Sequence, residues 1–304
     1  MTTAYLFPGQ GSQYVGMGRS AYDQSEAARA LYAEADNLLG KKLSDLIFEG
    51  PEEKLTETAY QQPALFVASM ANWAFMNGGE WPEADFMAGH SLGEFSALAA
   101  AGSISFADGL RLVQRRGELM REAGEVAPGA MAAILALPRE DIERLCRRVI
   151  TETGRLVAVA NDNCPGQLVI SGDESALQRA MDLAQEAGAR KVVRLPITIA
   201  AHTALMGSVA EEFAQAVDNT PIKPPRLPVI GNVSALPLLT AQAIRDELKA
   251  QLISPVAWTA SIQYLADQGV DTFVEVGPNN VLLGLVKRID RRAVRTAFDN
   301  GPDN

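Results

Sequence analysis

Short apolar runs alternate with longer amphipathic stretches over roughly the first 125 residues of the chain. The runs Tyr5-Leu6-Phe7 and Phe86-Met87-Ala88 end at Pro or Gly and predict strands. Apolar residues at helical spacing predict helices at residues 62–77, 93–101 and 106–123. Strands that alternate with long helices are typical of an α/β layer fold, so we expect this region to build a sheet covered by helices.

The pattern changes between residues 127 and 196, where strands and shorter helices follow the order β-α-β-β-α-β, a ferredoxin-like arrangement. The predicted elements are strand 131–137, helix 139–150, strands 156–160 and 167–171, helix 174–187 and strand 191–195. The first pattern then returns, with helices at 203–217, 241–252 and 259–268 and strands at 229–230 and 272–276. We therefore expect a small domain at 127–196 inserted into a larger one made of 1–126 and 197–304.

Composition and charge restrict the function classes. The 304 residues are 47% hydrophobic and 21% charged, as in an ordinary globular protein. A net charge of −10 argues against a nucleic-acid partner, because phosphate contacts require a basic face. Basic residues do cluster at 190–194 and at 287–295, and each cluster taken alone is interpreted as a solvated charged face.

The sequence predicts neither a signal peptide nor a membrane-spanning segment. The first seven residues lack a basic start, Pro8-Gly9 interrupts their apolar run, and later apolar runs are broken within about 15 residues. We expect a cytoplasmic protein without a membrane partner, in which Cys146 and Cys164 are reduced thiols.

The segment Gly89-His90-Ser91-Leu92-Gly93 lies between a predicted strand and a predicted helix. It matches the nucleophile elbow G-x-S-x-G, whose glycines permit a tight turn that projects the serine hydroxyl. Free N–H groups at the start of the helix then face the developing oxyanion. We favour catalysis by Ser91 over an ordinary glycine-rich turn.

A serine nucleophile requires a base, and the chain has two histidines. His90 adjoins Ser91 on the strand side, where neighbouring side chains point in opposite directions, so we expect it to pack beneath the turn. His202 is the candidate base by elimination.

Two further motifs carry weaker signals. The segment from Phe7 to Gln13, Phe-Pro-Gly-Gln-Gly-Ser-Gln, lacks the endings of phosphate-binding loops and suits a backbone loop that donates an N–H into a pocket. Arg115 and Arg116 lie in an amphipathic helix. One of them facing inward would bind a carboxylate, and two surface arginines are the alternative.

Taken together and in order, these motifs resemble the malonyl-CoA:acyl carrier protein transacylase family over nearly the whole chain. The matching segments are 7–13, 89–94, Gln114-Arg115-Arg116-Gly117 with Met120, Ala201-His202 with Leu205-Met206, and Glu275-Val276-Gly277-Pro278.

The resemblance implies an α/β fold, with an α/β-hydrolase-like large domain interrupted by a ferredoxin-like small domain. It implies transfer of a malonyl group from malonyl-CoA to the phosphopantetheine thiol of acyl carrier protein in fatty acid biosynthesis. The reaction would be ping-pong, through an ester on the serine, without a metal or organic cofactor. The implied roles are Ser91 as nucleophile, His202 as base, the N–H groups of Gln10 and Leu92 as oxyanion hole, Arg116 as carboxylate clamp, and the Gln251 backbone carbonyl as the acceptor that orients the histidine.

Other readings stay open. Similar acyltransferases serve polyketide synthases in trans or the carrier subunit of malonate decarboxylase. A serine esterase fits poorly because no histidine follows His202, and a non-catalytic scaffold would require a missing group, of which there is none. Small Ala201 leaves tolerance of methylmalonyl groups open. We expect a monomer whose basic segment 287–295 helps to dock the carrier.

Overall fold

The computed structural model describes residues 1–299 as two sheets surrounded by helices, which is a mixed α/β fold. The strands are β1 Thr3–Phe7, β2 Phe86–Gly89, β3 Gly129–Leu135, β4 Val157–Cys164, β5 Gln167–Asp173, β6 Lys191–Arg194, β7 Val229–Ile230, β8 Pro237–Leu238, β9 Thr272–Glu275 and β10 Val294–Ala297.

A 3-10 helix at Ala204–Met206 accompanies the α-helices. The α-helices are α1 Arg19–Gln24, α2 Glu26–Leu39, α3 Leu43–Glu49, α4 Glu52–Leu55, α5 Thr58–Met76, α6 Gly93–Ala100, α7 Phe106–Val126, α8 Arg139–Thr153, α9 Glu174–Glu186, α10 Gly207–Asn219, α11 Ala241–Gln251, α12 Trp258–Asp267 and α13 Val281–Ile289.

The larger sheet has the strand order β10-β9-β1-β2-β7-β8. All neighbouring pairs are parallel except β7 with β8. Its central strands β1 and β9 are buried along their whole length, as expected for parallel strands covered by helices on both faces. The carboxyl ends of β1, β2, β7 and β9 consequently meet at one edge, where loops can bring distant residues together.

The smaller sheet is antiparallel, with the order β4-β5-β3-β6. Helices α8 and α9 pack on it and share an apolar cluster that includes Ile134, Ile142, Ile170 and Leu177. At the outer edge of β4, Val256 exchanges two backbone hydrogen bonds of 2.9 Å, donating to Ala160 and accepting from Asp162. The smaller sheet is thereby joined to the segment that follows α11.

Most predicted elements exist, and the differences have local causes. The helix predicted at 62–77 begins one turn earlier, at Thr58, which leaves Pro63 inside the helix. The helix predicted from Thr203 starts as the 3-10 turn and continues as α10. We did not predict α1 to α4, α13, β8 or β10. Residues 300–304 of the predicted large domain lie outside the described residues.

Two sequence expectations concern membranes and thiols. None of the helices in residues 1–299 is long and apolar enough to cross a membrane. Cys146 and Cys164 are both buried free cysteines.

Candidate active site

Ser91 occupies a strained turn between β2 and α6. Its φ is 51°, in the left-handed region that non-glycine residues rarely adopt. A Cβ on Gly93 would lie 1.9 Å from the Phe7 carbonyl oxygen, and one on Gly89 would lie 2.0 Å from the Gly93 carbonyl oxygen. Both positions require glycine because the backbone of the turn approaches so closely that no side chain fits. This close approach is typical of an elbow that projects a serine side chain from the edge of a sheet.

The structure connects Ser91, His202 and Gln251 by two consecutive hydrogen bonds. The Ser91 Oγ lies 2.8 Å from the His202 Nε2, and the His202 Nδ1 lies 3.0 Å from the backbone oxygen of Gln251. Because a carbonyl oxygen only accepts, Nδ1 carries the proton and donates it there. Nε2 is then free to accept the hydroxyl proton of Ser91, which is the geometry that a general base requires.

Burial sets the protonation state of His202. Its side chain is 4% exposed, and desolvation, reinforced by the positive charge of Arg116, lowers its pKa to about 3. The imidazole is consequently neutral at neutral pH and ready to take a proton.

Arg116 is the inward-facing member of the arginine pair, with 1% of its surface exposed. Its Nη1 donates to the Gln62 Oε1 at 2.9 Å, and its Nη2 donates to the Gln251 Oε1 at 3.0 Å and the Ser91 Oγ at 3.1 Å. Burial lowers its pKa to about 10, so it stays charged at neutral pH.

This buried guanidinium lacks a directly paired carboxylate. No acidic side chain within residues 1–299 forms an ion pair with Arg116, and its buried Nε has no hydrogen-bond partner there. The adjacent Arg115 instead pairs at the surface with Glu118, Glu122 and Glu212. A buried charge in this state is prepared to receive an anion next to the Ser91 hydroxyl.

The loop after β1 packs directly on the elbow. A Cβ on Gly9 would lie 2.3 Å from the His90 carbonyl oxygen and 3.7 Å from the Leu92 nitrogen, so the Gln10 segment runs beside the start of α6. Within the described chain, the N–H groups of Gln10 and Leu92 donate to no other residue. Two unused donors therefore lie beside the elbow.

Sequence reasoning missed the polar residues behind Ser91. Asn232 bridges the elbow, because its Nδ2 donates to the Gly89 carbonyl at 2.7 Å and its Oδ1 accepts from the Ser91 N–H at 2.6 Å. Glu94, fully buried, accepts at Oε1 from the Asn232 N–H at 3.0 Å and at Oε2 from the Gln251 Nε2. We name as the elbow cluster the residues Ser91, Glu94, Arg116, His202, Asn232 and Gln251.

Weak signals for these residues exist in the sequence. Glu94 directly follows G-x-S-x-G, and Asn232 follows β7 at the carboxyl edge of the sheet, where parallel sheets hold their sites. Gln62 precedes Pro63 in a buried helix, and nothing in its local sequence marks it as a partner of Arg116.

His90 contributes to a different surface of the turn. Its Nε2 lies 2.8 Å from the Asn163 Oδ1, and its ring meets Trp258 edge-on with centroids 5.4 Å apart. A cavity of about 100 Å³ opens here, lined by residues that include Pro8, Gln10, His90, Asn163 and Leu282. The cavity thus lies between the loop after β1, His90 and residues of the smaller sheet, and Ser91 is not part of its lining.

These contacts suit nucleophilic attack on an acyl carbonyl. A neutral imidazole is hydrogen-bonded to a serine hydroxyl, two backbone N–H groups are unused, and a desolvated cation lies 3.1 Å from the nucleophilic oxygen. The first two features fit acyl transfer in general, and the third is suited to an acyl group that ends in an anion.

Comparison with known proteins gives one consistent result. Residues 4–297 match the family model described as the acyl transferase domain. The chain is 48% identical over 290 residues to the malonyl CoA-acyl carrier protein transacylase of Bacillus subtilis (strain 168), covering 95% of this chain and 90% of that protein.

Solved structures agree. The structure of the malonyl CoA-acyl carrier protein transacylase from Coxiella burnetii superposes with a TM-score of 0.95 at 38% identity, covering 99% of this chain and 95% of that one. A malonyl-transacylase in complex with its type II polyketide synthase acyl-carrier protein also superposes with a TM-score of 0.95, at 40% identity, covering 100% and 97%.

Proposed function

Since the chain belongs to the malonyl CoA-acyl carrier protein transacylase family, we propose that it transfers a malonyl group from malonyl-CoA to the phosphopantetheine thiol of acyl carrier protein. The observation that carries this proposal is the buried Arg116 guanidinium 3.1 Å from the Ser91 Oγ, which itself lies 2.8 Å from the His202 Nε2. An acyltransferase for uncharged acyl groups would have no use for a desolvated cation at this point.

The first half-reaction forms the malonyl-enzyme. The Ser91 hydroxyl gives its proton to the His202 Nε2 while its oxygen bonds to the thioester carbonyl carbon. The carbon–sulfur bond then breaks, and the departing coenzyme A sulfur takes the proton from the imidazolium. The developing oxyanion is stabilised by the N–H groups of Gln10 and Leu92.

The second half-reaction reverses these roles with a new thiol. The carrier's phosphopantetheine thiol gives its proton to His202 and its sulfur attacks the ester carbonyl of malonyl-Ser91. The carbon–oxygen bond breaks, and Ser91 recovers the proton. Because Gln251 offers His202 a neutral carbonyl, it fixes the tautomer without the negative charge that an aspartate would supply.

Arg116 selects the acyl group because an acyl group without a carboxylate leaves the buried guanidinium unpaired. In a malonyl ester the carboxylate carbon is two bonds from the carbonyl carbon, within reach of a guanidinium that already contacts the Ser91 Oγ. A bound acetyl group would leave this buried cation unpaired, at a cost of several kcal/mol (about 3–5). Acetyl-CoA is therefore a poor substrate.

The proposed domain architecture follows the sequence expectation. We propose an α/β-hydrolase-like large domain, residues 1–126 and 197–304, and a ferredoxin-like small domain, residues 127–196. The β-α-β-β-α-β order of β3 to β6, with the strand order β4-β5-β3-β6, supports the small domain. The parallel sheet with a serine elbow after β2 supports the large one.

Fatty acid biosynthesis is the proposed pathway, and one observation favours a second candidate. A similar structure is a malonyl-transacylase bound to a polyketide synthase carrier, so service to such a carrier in trans is the alternative. Preference between fatty acid and polyketide carriers, measured as kcat/KM for each, separates the two. The cytoplasmic location, the monomeric state and the absence of a cofactor stay predictions from the sequence.

The intact mass of the protein after brief incubation with an acyl-CoA tests the proposal. Native enzyme should gain a malonyl group, Ser91→Ala should gain none, and acetyl-CoA should give little adduct. Adding carrier protein that bears phosphopantetheine should then remove the adduct and malonylate the carrier, whereas carrier without the prosthetic group should not.

Two results would overturn the proposal. A native enzyme that forms no adduct with malonyl-CoA and malonylates no carrier lacks the transferase activity. Hydrolysis of simple esters without an added thiol would move the assignment to a serine esterase. Methylmalonyl-CoA serves as a third arm, because the residue before His202 is the small Ala201.

A further inference from the structure

Glu94 is an acidic residue in the elbow cluster to which the mechanism above gives no task. It is fully buried on the first turn of α6, three residues after Ser91. A carboxyl group without water contact is costly to keep, and buried acids of this kind concentrate at functional sites. Its position therefore calls for a physical role.

Hydrogen-bond geometry indicates which form of Glu94 is present. Its Oε1 accepts from the Asn232 backbone N–H at 3.0 Å, and its Oε2 accepts from the side-chain amide of Gln251. Both partners are donors, so a carboxylic O–H on either oxygen would face an N–H group. These hydrogen bonds favour the ionised carboxylate, and they oppose burial, which raises the pKa of Glu94 and favours the neutral acid.

The surroundings of Glu94 shift its pKa in opposite directions. Burial and the nearby Glu247 carboxylate raise its pKa well above the usual value, while Asn232, Gln251 and the Arg116 guanidinium oppose that rise. Arg116 and His90 are the charged or titratable groups that lower the pKa of His202 in turn. The side-chain amide of Gln251 links the two groups, because it donates to the Glu94 carboxyl group and accepts from the Arg116 guanidinium.

Gln251 connects this carboxylate with every reacting group. Its Nε2 donates to Glu94 and, at 3.0 Å, to the Ser91 backbone oxygen; its Oε1 accepts from Arg116 at 3.0 Å; its backbone oxygen accepts from His202 at 3.0 Å. Asn232 extends the same connection to the Ser91 N–H. A charge on Glu94 is therefore linked to the base by two hydrogen bonds joined through Gln251, and to the elbow by two hydrogen bonds joined through Gln251 or Asn232.

We propose that Glu94 is a positioning residue for acyl transfer, which supplies through Gln251 the negative charge that the Ser91–His202 pair lacks. The proposal rests on the proposed function. In the transition state the imidazole becomes an imidazolium close to the Arg116 cation, and the buried carboxylate offsets this second positive charge. In the ground state the same charge already stabilises the Arg116 cation from a distance, so a malonyl carboxylate gains less from binding there.

These two effects predict that removal of the Glu94 charge lowers the acylation rate without weakening malonyl-CoA binding. Glu94→Gln removes the charge, keeps the volume and retains one amide oxygen that can accept from one of the two donors, so the rate of malonyl-Ser91 formation at saturating malonyl-CoA should fall about 10- to 100-fold. That loss is smaller than the loss for an acid bonded directly to the histidine. Half-saturation by malonyl-CoA should be unchanged or occur at lower concentration, because Arg116 then lacks the stabilising charge of Glu94 and gains more from a malonyl carboxylate. A merely structural role would instead loosen the Gln251–Arg116 contact and weaken malonyl-CoA binding.

Single-turnover acylation, followed by intact mass over a range of malonyl-CoA concentrations, tests this difference between rate and binding in native enzyme, Glu94→Gln and Glu94→Asp. Glu94→Asp keeps the charge and should recover part of the rate. Glu275→Gln is the matched control, because Glu275 is an equally buried acid that accepts from the N–H groups of Leu282 and Leu283 at the start of α13. It should acylate at the native rate.

The outcomes are distinct. A Glu94→Gln enzyme with native rate, or with a reduced rate and half-saturation at higher malonyl-CoA, overturns the positioning role. If native enzyme forms no adduct, the proposed function fails instead. Should Glu94→Gln not fold, rate and binding are measured in Glu94→Asp, where weaker malonyl-CoA binding overturns the proposal and a reduced rate with native binding supports it.

Discussion

Arginines occupy opposite surroundings in two regions of this molecule. On the exposed faces of α8 and α9, Arg144, Arg148 and Arg179 each pair with a carboxylate, at 2.7, 2.6 and 3.3 Å. In the elbow cluster, Arg116 is buried, and its hydrogen-bond partners among residues 1–299 are all neutral. The surface pairs are well formed and contribute little to stability, whereas the incomplete environment of Arg116 costs stability and prepares it for a ligand.

The largest expected effect lies inside the elbow cluster. His202→Ala removes the only described side chain that accepts from the Ser91 hydroxyl, so the malonylation rate should fall by about 1,000-fold or more. Stopped-time intact mass measures that rate. Arg148→Ala on α8 is the control and should acylate normally; a His202→Ala enzyme with more than a tenth of the native rate would contradict the comparison.

Replacement of the buried cation comes next. Arg116→Met should lower kcat/KM for malonyl-CoA about 100-fold or more, because the substrate carboxylate then enters an apolar site without a partner. The preference for malonyl-CoA over acetyl-CoA should shrink, and the melting temperature should be maintained or rise, since a desolvated charge has been removed. A variant that keeps full discrimination against acetyl-CoA would show that another group selects the carboxylate.

The pH dependence of acylation tests the burial of the base. His202, with its pKa lowered to about 3 by desolvation and by Arg116, stays neutral as the pH falls from 7 to 5. Its activity as a base should therefore persist over this interval. A histidine with the ordinary pKa near 6.5 would be mostly protonated at pH 5 and lose about 25-fold in rate between pH 7 and pH 5. Initial acylation rates at fixed ionic strength, in buffers where the protein remains folded, distinguish the two cases.

A smaller effect is expected outside the cluster, on the basic segment. Reversing Arg288 and Arg292 to Glu should raise the KM for carrier protein a few-fold and leave malonylation by malonyl-CoA unchanged. Arg144 and Arg148 reversed to Glu on α8 provide a control with the same change in charge. Equal KM values for both double variants would remove the docking role of the segment.

The smallest effect completes the comparison. Arg148→Ala breaks the exposed ion pair with Glu152 and should change the free energy of unfolding by less than about 1 kcal/mol. Urea denaturation measures it. A larger loss would show that the network joining α8 to α9 through Glu152 contributes more than exposed pairs usually do.

The fold could be predicted wherever local pattern and tertiary burial agree. Apolar runs predicted the strands at 5–7 and 86–88, which are found as β1 and β2. Helical periodicity predicted the helix at 106–123, which is found as α7. Strand β10 was missed because it is half-exposed at a sheet edge and contains Arg295, so its sequence is that of a charged surface. The start of α5 was wrong because Pro63 is usual in a first helical turn, and here packing tolerates it further inside.

Those site residues could be predicted that a sequence motif or the rarity of a residue type marks. Ser91 and His202 follow from a turn motif and from the scarcity of histidine, and the structure brings them to 2.8 Å. Glu94 and Asn232 are 138 residues apart in the sequence and meet only because β2 and β7 are neighbours in the sheet. No local pattern encodes such a contact, so residues of this kind require the structure.

The smaller sheet also bears on how the protein avoids aggregation. Its edge strand β4 begins Val157-Ala158-Val159-Ala160, an uncharged β-prone stretch of the kind that recruits strands from other molecules. Val256 covers part of that edge with two backbone hydrogen bonds, while the opposite edge, β6, carries Lys191 and Arg194. One edge is thus protected by the chain itself and the other by charge. Displacement of the segment around Val256 would expose strand β4 to pairing with other molecules. It would also disturb the nearby Gln251 carbonyl, which accepts the hydrogen bond from His202.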